Sequence, residues 1–256
     1  MKEKLYTIEL NDALKAEDEC MFCWLERKLE QENLEFVLGA SYMEDDIRAE
    51  TSRKGFCRHH IKMMYDYGNN LGNAWILKSR LEYLNQELKK QMAHYTPGKS
   101  AGFLERLKRP ESPAAAGRSA AEAWLRSQED HCYVCGRMRE IYERMLDTFL
   151  YMLRSDAGFR ERLLESKGFC LRHFADVLQV CEENLKPQEK QEWIPRLGDL
   201  MIRNLDRVQE DINWLIEKYD YRNKDADWRQ SQDAVQRTMQ KTAGGYPADP
   251  VFRCRK

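Results

Sequence analysis

The stretches EDECMFC (17–23) and KGFCRHH (54–60) return as EDHCYVC (129–135) and KGFCLRH (167–173). Each copy is ED-x-C-x-x-C followed by K-G-F-C-x-x-H, with 33 residues between the second and third cysteines in the first copy and 34 in the second. The offset between copies is 112 residues at CxxC and 113 at CxxH, so one inserted residue separates them. Arg27 matches Arg139 and Leu34 matches Leu146 in the same register. An internal repeat of this kind predicts one supersecondary unit used twice. Six of the eight cysteines fall within it.

Zinc takes four tetrahedral ligands from thiolate and imidazole. Residues three apart on a helix share a face, so CxxC presents two sulfurs to one point and CxxH a sulfur and a ring nitrogen. A helix start adds partial positive charge and unpaired N–H groups, both favourable to thiolate. The simplest grouping takes each copy by itself: Cys20, Cys23, Cys57 and His60 as one set, Cys132, Cys135, Cys170 and His173 as the other. Two zinc ions per chain follow. An iron–sulfur cluster fits less well, because it usually takes four cysteines. Four protein ligands leave no open position for a reacting water, which argues against a catalytic metal. Structural zinc can supply roughly 10–16 kcal/mol of apparent binding free energy. A whole domain is stable by only about 5–15 kcal/mol, so metal could decide whether the chain folds.

Working outward, the pattern is helical throughout. Asp18 and Asp130 sit where N-caps would, ahead of each CxxC. Leu25, Leu29, Phe36 and Ala40 fall near one face of the first helix, and Val134, Met138, Ile141, Met145 and Met152 do so in the second copy. Short helices are expected over 43–53 and 156–166, each stopped by Gly55 or Gly168. Ile61, Met64, Leu71, Trp75, Leu81, Leu84 and Leu88 form a stripe after the first CxxH, with Gly68 and Gly72 as possible kinks. Leu197, Met201, Leu205, Val208, Ile212, Leu215 and Tyr219 form another after a break near Pro187 and Pro195. A helix is expected between Asp225 and Lys241, then an extended tail from Gly244. The fold expectation is all-α: two helical repeats, each with a Cys3His site at helix N-termini, joined by a flexible linker. The boundaries are 1–94 and 121–221 for the repeats, 95–120 for a Pro-, Gly- and Ala-bearing linker, and 222–256 for the last helix and tail.

Composition bounds the function. Lys plus Arg number 42 and Asp plus Glu 43, a formal net charge of −1, so nucleic-acid binding is not expected. The sequence holds no apolar run long enough to span a membrane, and MKEKLYTIELNDA lacks the apolar core of a secretory signal, which points to the cytoplasm. In a reducing compartment, cysteines so spaced speak for metal rather than disulfides. Cys181 lies 11 residues beyond Cys170 and reads as a buried apolar side chain, Cys254 as a tail thiol. His59 and His131 flank ligands, but their counterparts are Arg172 and Glu19. No nucleotide-binding, hydrolase or zinc-protease motif is present.

The duplicated half-motifs, with the opening MKEKLYTIELNDALKAEDEC and the closing GGYPADPVF, resemble a family of bacterial cytoplasmic proteins without assigned function. The resemblance spans nearly the whole chain and implies only that the paired cysteine–histidine units belong together. Three functions remain: a zinc-stabilised helical scaffold or adaptor with a protein partner, a thiol-based redox or metal sensor, and an enzyme with a site between the repeats. The third would draw on Arg58, His59, Arg172, Glu17, Asp18, Glu129 and Asp130. The absence of a catalytic motif favours the first.

Overall fold

The computed structural model describes residues 5–96 and 119–254, and most of the expected linker at 95–120 lies outside them. Among the described residues there are eleven α-helices and no strand. They are α1 (Thr7–Lys15), α2 (Met21–Leu38), α3 (Asp45–Lys54), α4 (Arg58–Tyr67), α5 (Asn70–Ala93), α6 (Ala120–Ser127), α7 (Tyr133–Ser155), α8 (Ala157–Glu165), α9 (Leu171–Asn184), α10 (Pro187–Lys218) and α11 (Ala234–Ala243). No helix is long and apolar enough to cross a membrane among these residues.

The chain groups into two compact units, and neither is a consecutive stretch. Unit 1 takes residues 1–30 and 138–250; unit 2 takes 31–137 and 251–256. The division falls inside α2 and inside α7. The expectation of consecutive repeats at 1–94 and 121–221 therefore differs from the units that compactness draws.

Unit 1 is built on a continuous apolar core. The first turns of α2 bury Met21, Phe22, Leu25 and Leu29. Helix α7 adds Met145, Phe149, Met152 and Leu153, and α10 adds Trp193, Leu197, Leu200 and Met201. Phe22 is the hub: its ring centre lies 5.5 Å from Tyr142, 5.6 Å from Phe149 and 5.9 Å from Phe169. Aromatic pairs at such spacing contribute about 0.5–1.5 kcal/mol beyond their burial. Helix α1 docks Leu10 and Ala13 into this core, and Arg162 of α8 donates to Asn11 Oδ1 at 2.7 Å.

In unit 2, α3 lies along α5, and Arg80 of α5 donates to the carbonyls of Ser52 and Arg53. Tyr67 and Ile76 are buried from the α4–α5 side, Leu34 and Val37 from α2, and Tyr133 and Val134 from α7. The tail returns here: Cys254 N–H donates to Tyr67 O at 2.8 Å, and Phe252 packs on the Tyr67 ring.

Three helix expectations needed correction. The stripe from Ile61 to Leu88 is not one helix, because Gly68 at φ 87° ends α4 and Asn69 caps α5 by accepting from Gly72 N–H. The break resets the helical phase, so Met64 and Ile76 are buried while Leu71 and Leu81 are each 61% exposed. Pro187 is the first residue of α10, but Pro195 does not break that helix. Pro195 and Gln191 are both exposed, while Trp193 and Leu197 anchor the turn in the core. The helix expected from Asp225 starts at Ala234. Asp227 Oδ1 instead accepts from Arg229 N–H, and the Asp227 carbonyl accepts from Trp214 Nε1, a side-chain turn that competes with helix.

Candidate metal centres

Each metal half-motif forms at a helix start. Cys20 and Cys132, rather than Asp18 and Asp130, occupy the position before α2 and α7, where their carbonyls accept from Trp24 and Gly136 N–H. Asp18 stands two residues outside and accepts from Cys20 N–H at 3.0 Å. Cysteine can hold the capping position because its sulfur accepts from the helix: Cys23 N–H lies 3.4 Å from Cys20 Sγ. Likewise Cys57 precedes α4 and Cys170 precedes α9, with His173 N–H 3.5 Å from Cys170 Sγ. Gly55 at φ 66° and Gly168 at φ 74° make the turns that lead into these caps. A side chain there would be strained, which is why glycine stands at both.

The eight expected residues come together in two quartets, but not in the expected grouping. Unit 1 holds Cys20, Cys23, Cys170 and His173; unit 2 holds Cys57, His60, Cys132 and Cys135. The CxxC of one copy meets the CxxH of the other. The two helices between the half-motifs of each copy are unequal in length. Helix α2 has 18 residues, about 27 Å, while α3, the return leg, has 10, about 15 Å. Helix α7 has 23 residues, about 35 Å, and α8 has 9, about 14 Å. In each copy the short helix therefore covers only about half the length of the helix that opens it, or less.

The distances suit tetrahedral coordination. Metal–sulfur bonds of about 2.3 Å and metal–nitrogen bonds of about 2.0 Å give edges of about 3.8 Å between sulfurs and about 3.5 Å between sulfur and nitrogen. In unit 1, Cys23 Sγ lies 3.7 Å from Cys170 Sγ. His173 Nδ1 lies 3.3, 3.5 and 3.2 Å from the sulfurs of Cys20, Cys23 and Cys170. In unit 2, Cys57 Sγ lies 3.9 Å from Cys135 Sγ, and His60 Nδ1 lies 3.2, 3.3 and 3.4 Å from Cys57, Cys132 and Cys135. A disulfide would need about 2.05 Å, so all six thiols are unbridged. The donor set is one that could hold a metal ion in each unit.

The quartets differ in shielding. All four residues of the unit 1 quartet are buried, whereas Cys57, Cys132 and Cys135 are half-buried around a buried His60. The segment after α11 accounts for the closure in unit 1. Gly244 turns at φ 77°, and a Cβ there would sit 3.4 Å from Cys170 Sγ and 3.7 Å from Cys23 Sγ. Tyr246 Oη donates to Asp18 Oδ2 at 2.7 Å, Gln240 Nε2 to Asp18 Oδ1 at 2.6 Å, and Arg27 stacks on Tyr246 and pairs with Asp249 at 2.5 Å. The distal nitrogen of His173 faces Glu26 Oε2 at 3.2 Å, and Arg172 pairs with the same carboxylate. A carboxylate behind a ligating imidazole fixes its tautomer and raises its basicity.

Crowding divides the protons unequally. Burial, with Cys170 and Cys23 beside it, pushes the Cys20 thiol well up. Hydrogen bonds from Cys20 and Cys23 hold Cys170 far below the usual thiol range. Burial works against charge on His173, but Cys170, Cys23 and Glu26 together raise it to about 11. In unit 2, burial pushes Cys135 up to about 12, with Cys132 adding to it. Burial also opposes ionisation of Cys132, yet the bond to His60 brings it down to about 6. Three thiolates so close repel one another, and a dication at the centre would remove that conflict.

Cys181 is buried apart from both quartets, its thiol pushed up to about 11 by burial, and Cys254 is exposed. His59 and His131 are exposed and outside the quartets. Glu26, Lys241, Tyr246 and Asp249 surround the unit 1 quartet and escaped sequence reasoning, although the closing GGYPADPVF marked that region as distinctive.

No curated protein and no solved structure matches this chain. A family model does, over residues 1–249, and it carries the description "Family of unknown function (DUF6062)". The chain therefore belongs to that family of unknown function.

Proposed function

We propose that the chain is a zinc-stabilised helical scaffold that presents its helices to a protein partner, with one zinc in each quartet. What carries this reading is that each quartet offers four protein donors, three sulfurs and one Nδ1, at spacings that suit a closed tetrahedron. A closed shell stabilises a fold and leaves no position for substrate. Two of the residues weighed for catalysis are otherwise engaged: both Asp18 oxygens accept hydrogen bonds, and Arg172 is paired with Glu26. The duplicated motifs read as one ancestral unit used twice, with the half-motifs exchanged between copies.

Elemental analysis of the purified chain tests the reading. It predicts two zinc per chain, and one in each of Cys57→Ser and Cys170→Ser. A chain whose stability is unchanged when the metal is removed, or that carries iron with sulfide, would overturn it.

A second reading has one observation in its favour. The unit 2 quartet leaves three sulfurs half-buried, which suits thiol-based sensing in which oxidation expels the metal. Zinc release and loss of helicity at micromolar peroxide would support sensing; release only at millimolar peroxide would speak against it.

A further inference from the structure

We propose that Lys241 is a positioning residue for the unit 1 metal centre, joining the two backbone segments that present its ligands and supplying the buried positive charge the loaded centre requires. This rests on the metal-scaffold reading above. Lys241 lies on α11, far in sequence from either half-motif, and is only 1% exposed. Its Nζ donates to the carbonyls of Glu19, Lys167 and Phe169, the last at 3.4 Å. Glu19 directly precedes Cys20, and Phe169 directly precedes Cys170. A single ammonium thus grips the residue before each capping cysteine and sets the spacing between the two helix starts.

Charge points the same way. A buried ammonium is costly unless paired and hydrogen-bonded. Lys241 faces the Glu19 carboxylate at 3.3 Å, but Arg207 holds the same oxygen at 2.6 Å. Two cations share one carboxylate, which leaves one positive charge over. A divalent metal with three thiolates carries one negative charge, buried in the same unit.

Unit 2 is built differently. There the two segments are joined by the backbone itself, Tyr133 N–H donating to Gly55 O at 2.9 Å. Arg80 reaches both segments, donating to the carbonyls of Ser52 and Arg53 and to Gln128 Oε1 at 3.2 Å, but it touches neither residue that directly precedes Cys57 or Cys132. Lys241 is therefore specific to one centre.

The test uses the full-length chain and Co2+, whose thiolate charge-transfer band reports occupancy, in competition with a chelator of known affinity. A Cys57→Ser parent isolates the unit 1 centre, and a Cys170→Ser parent isolates unit 2. Lys241→Met is expected to weaken Co2+ at the unit 1 centre by roughly 10–100-fold, the usual effect of removing an outer partner. Lys241→Arg should restore most of the loss, and the unit 2 centre should not respond. Unchanged affinity at the unit 1 centre, or an equal loss at both centres, overturns the assignment. If Lys241→Met does not fold, Lys241→Gln, which keeps N–H donors without the charge, is read by the same criteria. A Cys57→Ser parent that binds no metal with Lys241 intact refutes the scaffold reading itself, and the assignment falls with it.

Discussion

Replacing Gly55 by alanine should damage the unit 2 centre from the backbone outward. Gly55 has φ 66° and ψ −163°, a region essentially reserved for glycine. A residue with a side chain held there costs of order 1–3 kcal/mol. The new Cβ would also stand 2.8 Å from the Arg80 guanidinium, which must shift. Arg80 then loosens its hold on the Ser52 carbonyl at 2.6 Å, and a hydrogen bond to a charged donor contributes about 1.5–3 kcal/mol. The combined loss of about 2.5–6 kcal/mol falls two residues before Cys57, the cap of α4 and one of the four donors of the unit 2 quartet. If half of it is felt only by the loaded state, Co2+ affinity of the unit 2 centre drops by about 8–140-fold, at 1.4 kcal/mol per factor of ten. The assay is chelator competition in the Cys170→Ser parent. Gly136→Ala is the control, since nothing lies within 4 Å of a Cβ at that helical position beside Cys135. It should stabilise α7 by about 0.4–1 kcal/mol and leave affinity unchanged. Equal behaviour of the two substitutions, or an unaltered affinity for Gly55→Ala, would refute the reasoning.

Limiting alkylating reagent on the metal-loaded chain should label Cys57, Cys132 and Cys135 well before Cys20, Cys23 and Cys170, because the former are half-buried and the latter buried. Peptide mapping by mass spectrometry reads the order, and the reverse order contradicts the assigned shielding. In the metal-free folded chain, His173 should remain doubly protonated at pH 9, since its value is raised from 6.5 to about 11. A raised value stabilises the folded state fully below pH 6.5, and that contribution is lost as pH rises through about 11. Nitrogen chemical shifts check this, and metal binding should convert the ring to neutral imidazole bound through Nδ1.

The local devices were legible in the sequence because each rests on neighbours along the chain. The short helices expected at 43–53 and 156–166 form at 45–54 and 157–165. Gly55 and Gly168 end them at positive φ. The eight cysteine and histidine donors converge as residue types and spacings implied. The exchange between copies was not legible, because spacing within a motif says nothing about which distant partner it meets. The α5 stripe misled for a related reason: Gly68 resets the phase, and periodicity cannot carry across a left-handed residue. Lys241 was invisible for want of any local signal, its partners lying 222, 74 and 72 residues away.

Paired substitutions test the exchanged metal centres most directly. Cys20→Ser with Cys170→Ser damages one quartet twice, whereas Cys20→Ser with Cys57→Ser damages both quartets once. Metal content per chain should be one in the first double variant and none in the second. The opposite result, none in the first and one in the second, would contradict the exchange and return the ligands to consecutive copies.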